Sequence, residues 1–256
     1  MTGSLLDVKD VSLSFRGLLA LSDLSFSVAR GEICALIGPN GAGKSSLLNI
    51  LNGVYRASSG HIVFDGERFD RPTPMSAARR GIGRTFQNNA LFHRMSVLDN
   101  VLTGLTRLGR SSLLEIAFRV GRNGAERRAF RERAQQIIEF LEIAPYRDSI
   151  VGGLPYGLQK RVEFARALVA SPKLLLLDEP MAGMNREEKE DMSRFIVEAN
   201  RRLGATIALI EHDIGVVMDL SDRVVVLEYG RKIADGTPDE VKADAKVIAA
   251  YLGVAH

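Results

Sequence analysis

Cysteine is almost missing from this chain: Cys34 is the only one. That excludes an internal disulfide and fits a reducing compartment. It lies in EICALIG, where a small buried core thiol is the expected role. Long hydrophobic runs are missing too, none approaching the roughly 18 residues needed to cross a bilayer. The opening MTGSLLDVKD has acidic residues and no hydrophobic block, so it does not read as a secretion signal. Charge of one sign is scarce as well. Lys and Arg number 34 against 31 Asp and Glu, and a net +3 is too small to argue for a nucleic-acid binder. There is no internal repeat and no low-complexity tail. What remains is an ordinary globular composition, 46% hydrophobic and 25% charged over 256 residues. It suits one large cytosolic domain, or a domain with a lobe.

The first 30 residues alternate like strands, in LLDVKDVSLSF and then LSFSVARGE with a turn at Arg30-Gly31. EICALIG (32–38) is a short, nearly continuous apolar run, as expected of a strand buried on both faces. KSSLLNILNG reads as a helix ending at Gly53, and HIVFDGERF as a hairpin turning at Asp65-Gly66. From about 96 to 170 the pattern is helical, with AERRAFRERAQQIIEFLEIA and VEFARALVA amphipathic. Strand signals return in KLLLLDE, TIALIEH and RVVVLEYG. The alternation predicts a mostly parallel sheet flanked by helices, with the central helical block inserted as a lobe.

GPNGAGKS fits G-x-x-x-x-G-K-[ST] after a buried strand and before a helix. Its glycines let backbone N–H groups approach phosphate oxygens, and the helix N-terminus adds partial positive charge. Gly38, Pro39, Asn40, Gly41, Ala42, Gly43, Lys44, Ser45 and the following Ser46 form the expected nucleotide-binding stretch. Lys44 is expected on the β- and γ-phosphates and Ser45 on Mg²⁺. LLLLDEP supplies the complement. Asp178 at a buried strand's end is placed to hold Mg²⁺ through its water shell, and Glu179 to polarise the attacking water. Together the motifs indicate a site for ATP and Mg²⁺.

The order GPNGAGKS, RTFQ (84–87), LPYGLQKR (154–161), LLLLDEP, AGMN (182–185) and IEHD (210–213) resembles the nucleotide-binding subunit of ABC transporters over essentially the whole chain. The resemblance implies an α/β P-loop NTPase fold of the ABC ATPase type. That fold has a mainly parallel sheet core, an N-terminal antiparallel β region and an inserted α-helical lobe. Residues 1–87 and 171–256 would form the core, and about 88–170 the lobe with the signature motif. It also implies that Gln87 senses Mg²⁺ and the attacking water, and that His212 is the switch histidine at the γ-phosphate. Ala182–Asn185 would be the D-loop, and Phe15 the aromatic that stacks on adenine. LPYGLQKR stands where the family reads LSGGQ. Leu154 and Gly157 match, whereas Pro155 replaces the serine, Tyr156 the first glycine and Leu158 the glutamine. Proline also favours the first turn of a helix, which alone could explain Pro155.

Several stretches resemble the branch that imports branched-chain and other hydrophobic amino acids: RTFQNNALFHRMSVLDNV, the arginine-rich insertion after it, LPYG, LDEPMAGMN and VIAAYLG. That branch implies a second ATPase subunit (a different chain or a second copy), two membrane permeases and, indirectly, a periplasmic solute-binding protein. The chain would sit peripherally on the cytoplasmic face of the inner membrane. The stretch 107–133 holds eight arginines (107, 110, 119, 122, 127, 128, 131, 133) against Glu115, Glu126 and Glu132, with no aromatic platform. Nucleic acid is therefore not expected as a partner, and a solvated face or one near anionic lipid is. Two other readings stay open at this point: a soluble ABC ATPase unconnected with transport, and a nucleotide-binding regulatory subunit with little turnover.

Overall fold

The computed structural model describes residues 3–70, 72–85, 91–106 and 122–252. The chain opens with two long strands, β1 (Ser4–Phe15) and β2 (Leu18–Ala29), paired antiparallel through a two-residue turn at Arg16 and Gly17. Both turn residues have positive φ, 49° and 89°, the conformation that matches the twist of a tight hairpin. After Arg30-Gly31 the chain leaves this sheet for β3 (Ile33–Ile37), whose five residues are all buried. Helix α1 (Lys44–Leu51) follows, then β4 (Ser59–Phe64) and the short β5 (Glu67–Arg68). The β4–β5 turn is Asp65-Gly66, as the sequence suggests, with φ of 56° and 79°. Helix α2 (Pro74–Arg80) leads into β6 (Ile82–Arg84).

Helices α3 (Val97–Thr103), α4 (Arg122–Phe140) and α5 (Tyr156–Leu168) occupy the middle of the chain. The second half alternates as β7 (Leu174–Asp178), α6 (Arg186–Leu203), β8 (Thr206–Ile210), α7 (Ile214–Leu220) and β9 (Arg223–Glu228). The hairpin strand β10 (Arg231–Gly236) and helices α8 (Pro238–Ala243) and α9 (Ala245–Leu252) close it.

Among the described residues there are two sheets, an antiparallel β2-β1-β4-β5 and a six-stranded β10-β9-β3-β8-β7-β6. In the larger sheet only the β9–β10 pair is antiparallel. Its inner strands send alternate residues to opposite faces, as the period of two requires. Cys34, Leu36, Leu174, Leu176, Ala208 and Ile210 pack with α1 and the antiparallel sheet. Ile33, Leu175, Leu177, Ile207 and Leu209 pack with Phe164 of α5 and with Phe195 and Ile196 of α6. That second cluster also contains Val97, Val101, Ile137 and Ile138. The central helices thus share one apolar core with a face of the sheet.

Parallel strands have their C-terminal ends on one edge. The C-terminal ends of β3, β6, β7 and β8 therefore lie together there, at the edge where open α/β sheets bind ligands. The β9–β10 turn reaches the same edge. Gly230 N–H donates to Ala42 O at 3.1 Å, while Gly230 O accepts from Ser22 N–H at 2.9 Å, tying the glycine-rich loop to β2.

Candidate active site

The loop between β3 and α1 is pressed close to the neighbouring strand β9. Gly38 has φ 147°, and a methyl group there would lie 2.0 Å from the Leu227 carbonyl oxygen, so only glycine fits. Lys44 opens α1 with its ammonium folded back over the loop, donating to Gly38 O at 2.6 Å and Pro39 O at 3.0 Å. It is 6% exposed. Burial pushes it below the ordinary lysine range, and the Glu179 and Asp178 carboxylates act against that shift. A phosphate entering the loop would compete with two backbone carbonyls for this ammonium. Ser45 and Ser46 follow on the first turn of α1.

Asp178 ends β7 and is almost fully buried. Its Oδ2 accepts from Arg84 Nη2 at 3.0 Å, and its backbone N–H donates to Thr85 Oγ1 at 3.3 Å. Arg84 Nη1 also donates to Asn49 Oδ1 of α1 at 2.7 Å, so one guanidinium joins the Asp178 carboxylate to the helix behind the glycine-rich loop. Burial raises the Asp178 carboxyl above its usual range, with Arg84 opposing. Its other oxygen, Oδ1, is buried with no hydrogen-bond partner. A buried carboxylate oxygen left unmatched is costly unless something else meets it. Among the described residues no group of three or more His, Cys, Asp or Glu could hold a metal by itself. One buried carboxylate oxygen and one serine beside a phosphate-cradling loop suit a cation that keeps its waters and takes phosphate oxygens. That is the habit of Mg²⁺.

Glu179 follows with φ 51°, unusual for a residue with a side chain. Its N–H donates to Ile210 O at 2.9 Å, which fixes it against β8. Its Oε1 meets His212 Nε2 at 2.8 Å. The structure brings Lys44, Asp178, Glu179 and His212, the residues that the motifs single out, near one another. Sequence reasoning missed three residues that support them: Arg84, Asn49 and Glu211. The charges of Arg84 and Glu211 sit at strand ends, where the sequence alone reads them as surface. Only pairing with strands distant in sequence buries them.

The remaining candidates lie elsewhere. Phe15, 42% exposed at the β1–β2 turn, packs edge-on against Tyr55 with ring centroids 5.1 Å apart. Pro155 is the residue immediately before α5 and makes no side-chain cap. Tyr156 is 43% exposed and lies against the loop after β7, where a methyl on Gly183 would be 3.0 Å from its Cε1. A Cβ on Gly157 would fall 2.2 Å from Glu188 Oε1 at the start of α6. Leu154 and Leu158 are half-buried and pack on the core shared by the central helices. The 154–158 stretch and the 182–185 loop therefore lie side by side, and Ala182 N–H donates to Glu179 O at 3.2 Å, which joins that loop to the Lys44–Glu179–His212 cluster. Gln87 and the arginines from 107 to 119 lie outside the described residues.

With this geometry in view, residues 21–182 match the family model described as ABC transporter, and residues 231–256 match the one described as Branched-chain amino acid ATP-binding cassette transporter. The chain is 36% identical to the high-affinity branched-chain amino acid transport ATP-binding protein BraF of Pseudomonas aeruginosa, over the whole of both chains. It is 35% identical, again over both whole chains, to the corresponding protein LivG of Escherichia coli. The lipopolysaccharide export system ATP-binding protein LptB of Haemophilus influenzae is 34% identical over 98% of each chain. Among solved structures, a nucleotide-free ATP-binding cassette from an ABC transporter superposes with a TM-score of 0.85. It is 32% identical, with 97% of this chain and 99% of that one covered.

Proposed function

Because the chain belongs to the ABC transporter family as one of its ATP-hydrolysing, ATP-binding subunits, we propose that it powers import of branched-chain or other hydrophobic amino acids. The observation that carries the solute class is the match of residues 231–256 to the branched-chain amino acid cassette model. Identity across the cassette does not select it, since a lipopolysaccharide export protein is nearly as similar as BraF.

In this reading Gly38–Ser46 bind the triphosphate, and Lys44 leaves its loop carbonyls for the β- and γ-phosphates. Ser45, Asp178 and Gln87 would hold Mg²⁺, Asp178 through the ion's water shell. When bound, Mg²⁺ neutralises phosphate charge and fixes the geometry for in-line attack. Glu179 accepts the proton of the attacking water, and His212, already 2.8 Å from that carboxylate, contacts the γ-phosphate. Phe15 stacks on adenine. Leu154–Leu158 and Ala182–Asn185 face the nucleotide of a second ATPase subunit. Residues 1–87 and 171–256 act as the core, and 88–170 as the lobe that meets a permease.

Among the described residues no helix is long and apolar enough to cross a membrane. In this reading the chain works as a peripheral subunit on the cytoplasmic face, with two permeases and a periplasmic solute-binding protein completing the system. The test is uptake of labelled leucine, isoleucine and valine by proteoliposomes holding the assembled complex and MgATP. Uptake of at least one is expected, and its loss in Lys44→Ala. Transport of only an unrelated solute would overturn the amino-acid reading and leave the ATPase intact.

A further inference from the structure

Glu211 is 5% exposed at the end of β8, yet it belongs to no part of the phosphate or water chemistry described above. Both of its oxygens are engaged. Oε1 accepts the Met181 N–H at 2.8 Å, and Oε2 accepts the His212 N–H at 3.2 Å. The first donor lies two residues beyond Glu179 and the second belongs to the histidine itself. Around them the contacts close a ring. Glu179 N–H is held by Ile210 O at 2.9 Å, Glu211 continues the chain from Ile210, and His212 Nε2 returns to Glu179 Oε1 at 2.8 Å. Burial raises the Glu211 carboxyl and the neighbouring Glu179 charge adds to that, whereas the two N–H donors lower it. A carboxylate kept in such a place, beside another, needs a reason.

We propose that Glu211 is a positioning residue for hydrolysis. By accepting both N–H groups at once, its carboxylate locks the His212 loop to the segment after Glu179, so that the imidazole ring reaches the Glu179 carboxylate. It is not a second base, because both of its oxygens are taken up by backbone N–H donors. On the far side of this lock, Met181 O accepts from Met184 N–H at 3.2 Å within the loop that leads to α6. A glutamine has almost the same shape but can accept at only one atom. Its amide nitrogen would oppose one of the two N–H groups, and the lock would open without leaving a cavity.

The proposal rests on the reading of His212 as a catalytic residue, and the experiment separates the two. In the assembled complex, Glu211→Gln should lower kcat about tenfold or more, the scale of one lost charge-assisted hydrogen bond. KM for ATP should stay within about twofold, because the phosphate loop is untouched. In a His212→Ala background the same change should have almost no further effect, since the group being positioned is gone. A second readout needs no turnover. The chain has four histidines, so ring NMR of the full-length protein can follow His212, identified by its loss in His212→Ala. Its ring signal should move in Glu211→Gln while those of His61 and His93 stay in place. Normal turnover in His212→Ala would remove His212 from catalysis, and the positioning role with it. With His212→Ala slow, three results would each overturn the Glu211 proposal alone: wild-type kcat in Glu211→Gln, an unmoved His212 signal, or a full additional loss in the double variant.

Discussion

Glu179 holds a backbone conformation that costs a residue with a Cβ about 1–2 kcal/mol, with φ 51°. Its N–H bond to Ile210 O and its side-chain contact to His212 keep it there. Such an outlier, next to a buried carboxylate and a histidine, is a mark of a working site. Glu179→Gln should therefore bind MgATP with near-normal affinity and hydrolyse it at least ~100-fold more slowly, the usual scale of a lost general base. Equilibrium binding of a fluorescent ATP analogue and single-turnover hydrolysis together check this, and near-normal hydrolysis would remove Glu179 from the role. Gly38 makes the opposite kind of demand, for absence of a side chain. The obstacle to a methyl group there is the Leu227 backbone carbonyl at 2.0 Å, which has no rotamer with which to yield. Gly38→Ala should shift the whole phosphate loop and weaken ATP binding by tenfold or more, and titration calorimetry would measure it. Unchanged affinity would mean that β9 moves to accommodate the methyl.

At the level of elements, the long helix α6 shows how much local sequence can dictate. Asn185 caps it by accepting the Glu188 N–H at 3.0 Å, while Glu188 accepts the Asn185 N–H at 3.0 Å in return. Glu187 and Glu188 complement the helix dipole at the start, Arg201 and Arg202 at the end, and Gly204 stops it with φ 70°. Asn185→Ala removes the side-chain acceptor and should cost about 1 kcal/mol, seen as a fall of roughly 2–4 °C in Tm. An unchanged melting curve would show that the packing of Phe195 and Ile196 fixes α6 without its cap. Elements like this were legible in the sequence for a physical reason: β3, β7 and β8 are apolar runs because both faces are covered, and α1 follows a glycine-rich turn. The three-residue β6 and the half-exposed β10 were not legible. Too few residues carry a period there, and both strands owe their place to a partner strand. The functional residues divide the same way. Lys44, Asp178 and Glu179 announce themselves by motif, whereas Arg84 and Glu211 gain their roles only from neighbours supplied by other strands.

For the molecule at work, the surface made by 154–158 and 182–185 matters most, because the proposed function turns it toward the nucleotide of a second ATPase subunit. In the arrangement proposed above each nucleotide lies between one subunit's phosphate loop and the other's signature, so the altered LPYGL would act on the partner's ATP. Pro155 supplies neither a hydroxyl nor a backbone N–H there, and Tyr156, packed at Gly183, occupies the place of a glycine. Losing one charge-assisted hydrogen bond to a γ-phosphate costs about 1.5–3 kcal/mol, roughly 10–100-fold. The Gly157 amide and the first turn of the 13-residue α5 still offer N–H donors and a positive dipole end to that phosphate. On that proposal the partner's site should be slowed and not abolished, while the site on this chain keeps all its own groups. With a partner carrying an unaltered LSGGQ, the assembled complex should hydrolyse unequally, faster at this chain's phosphate loop. The check is a pair of base knockouts in the assembled complex, Glu179→Gln here and the matching change in the partner. The first should remove more of the total ATPase rate than the second. Equal losses would mean that Gly157 and the helix terminus make up for the missing serine, and the asymmetry would be gone.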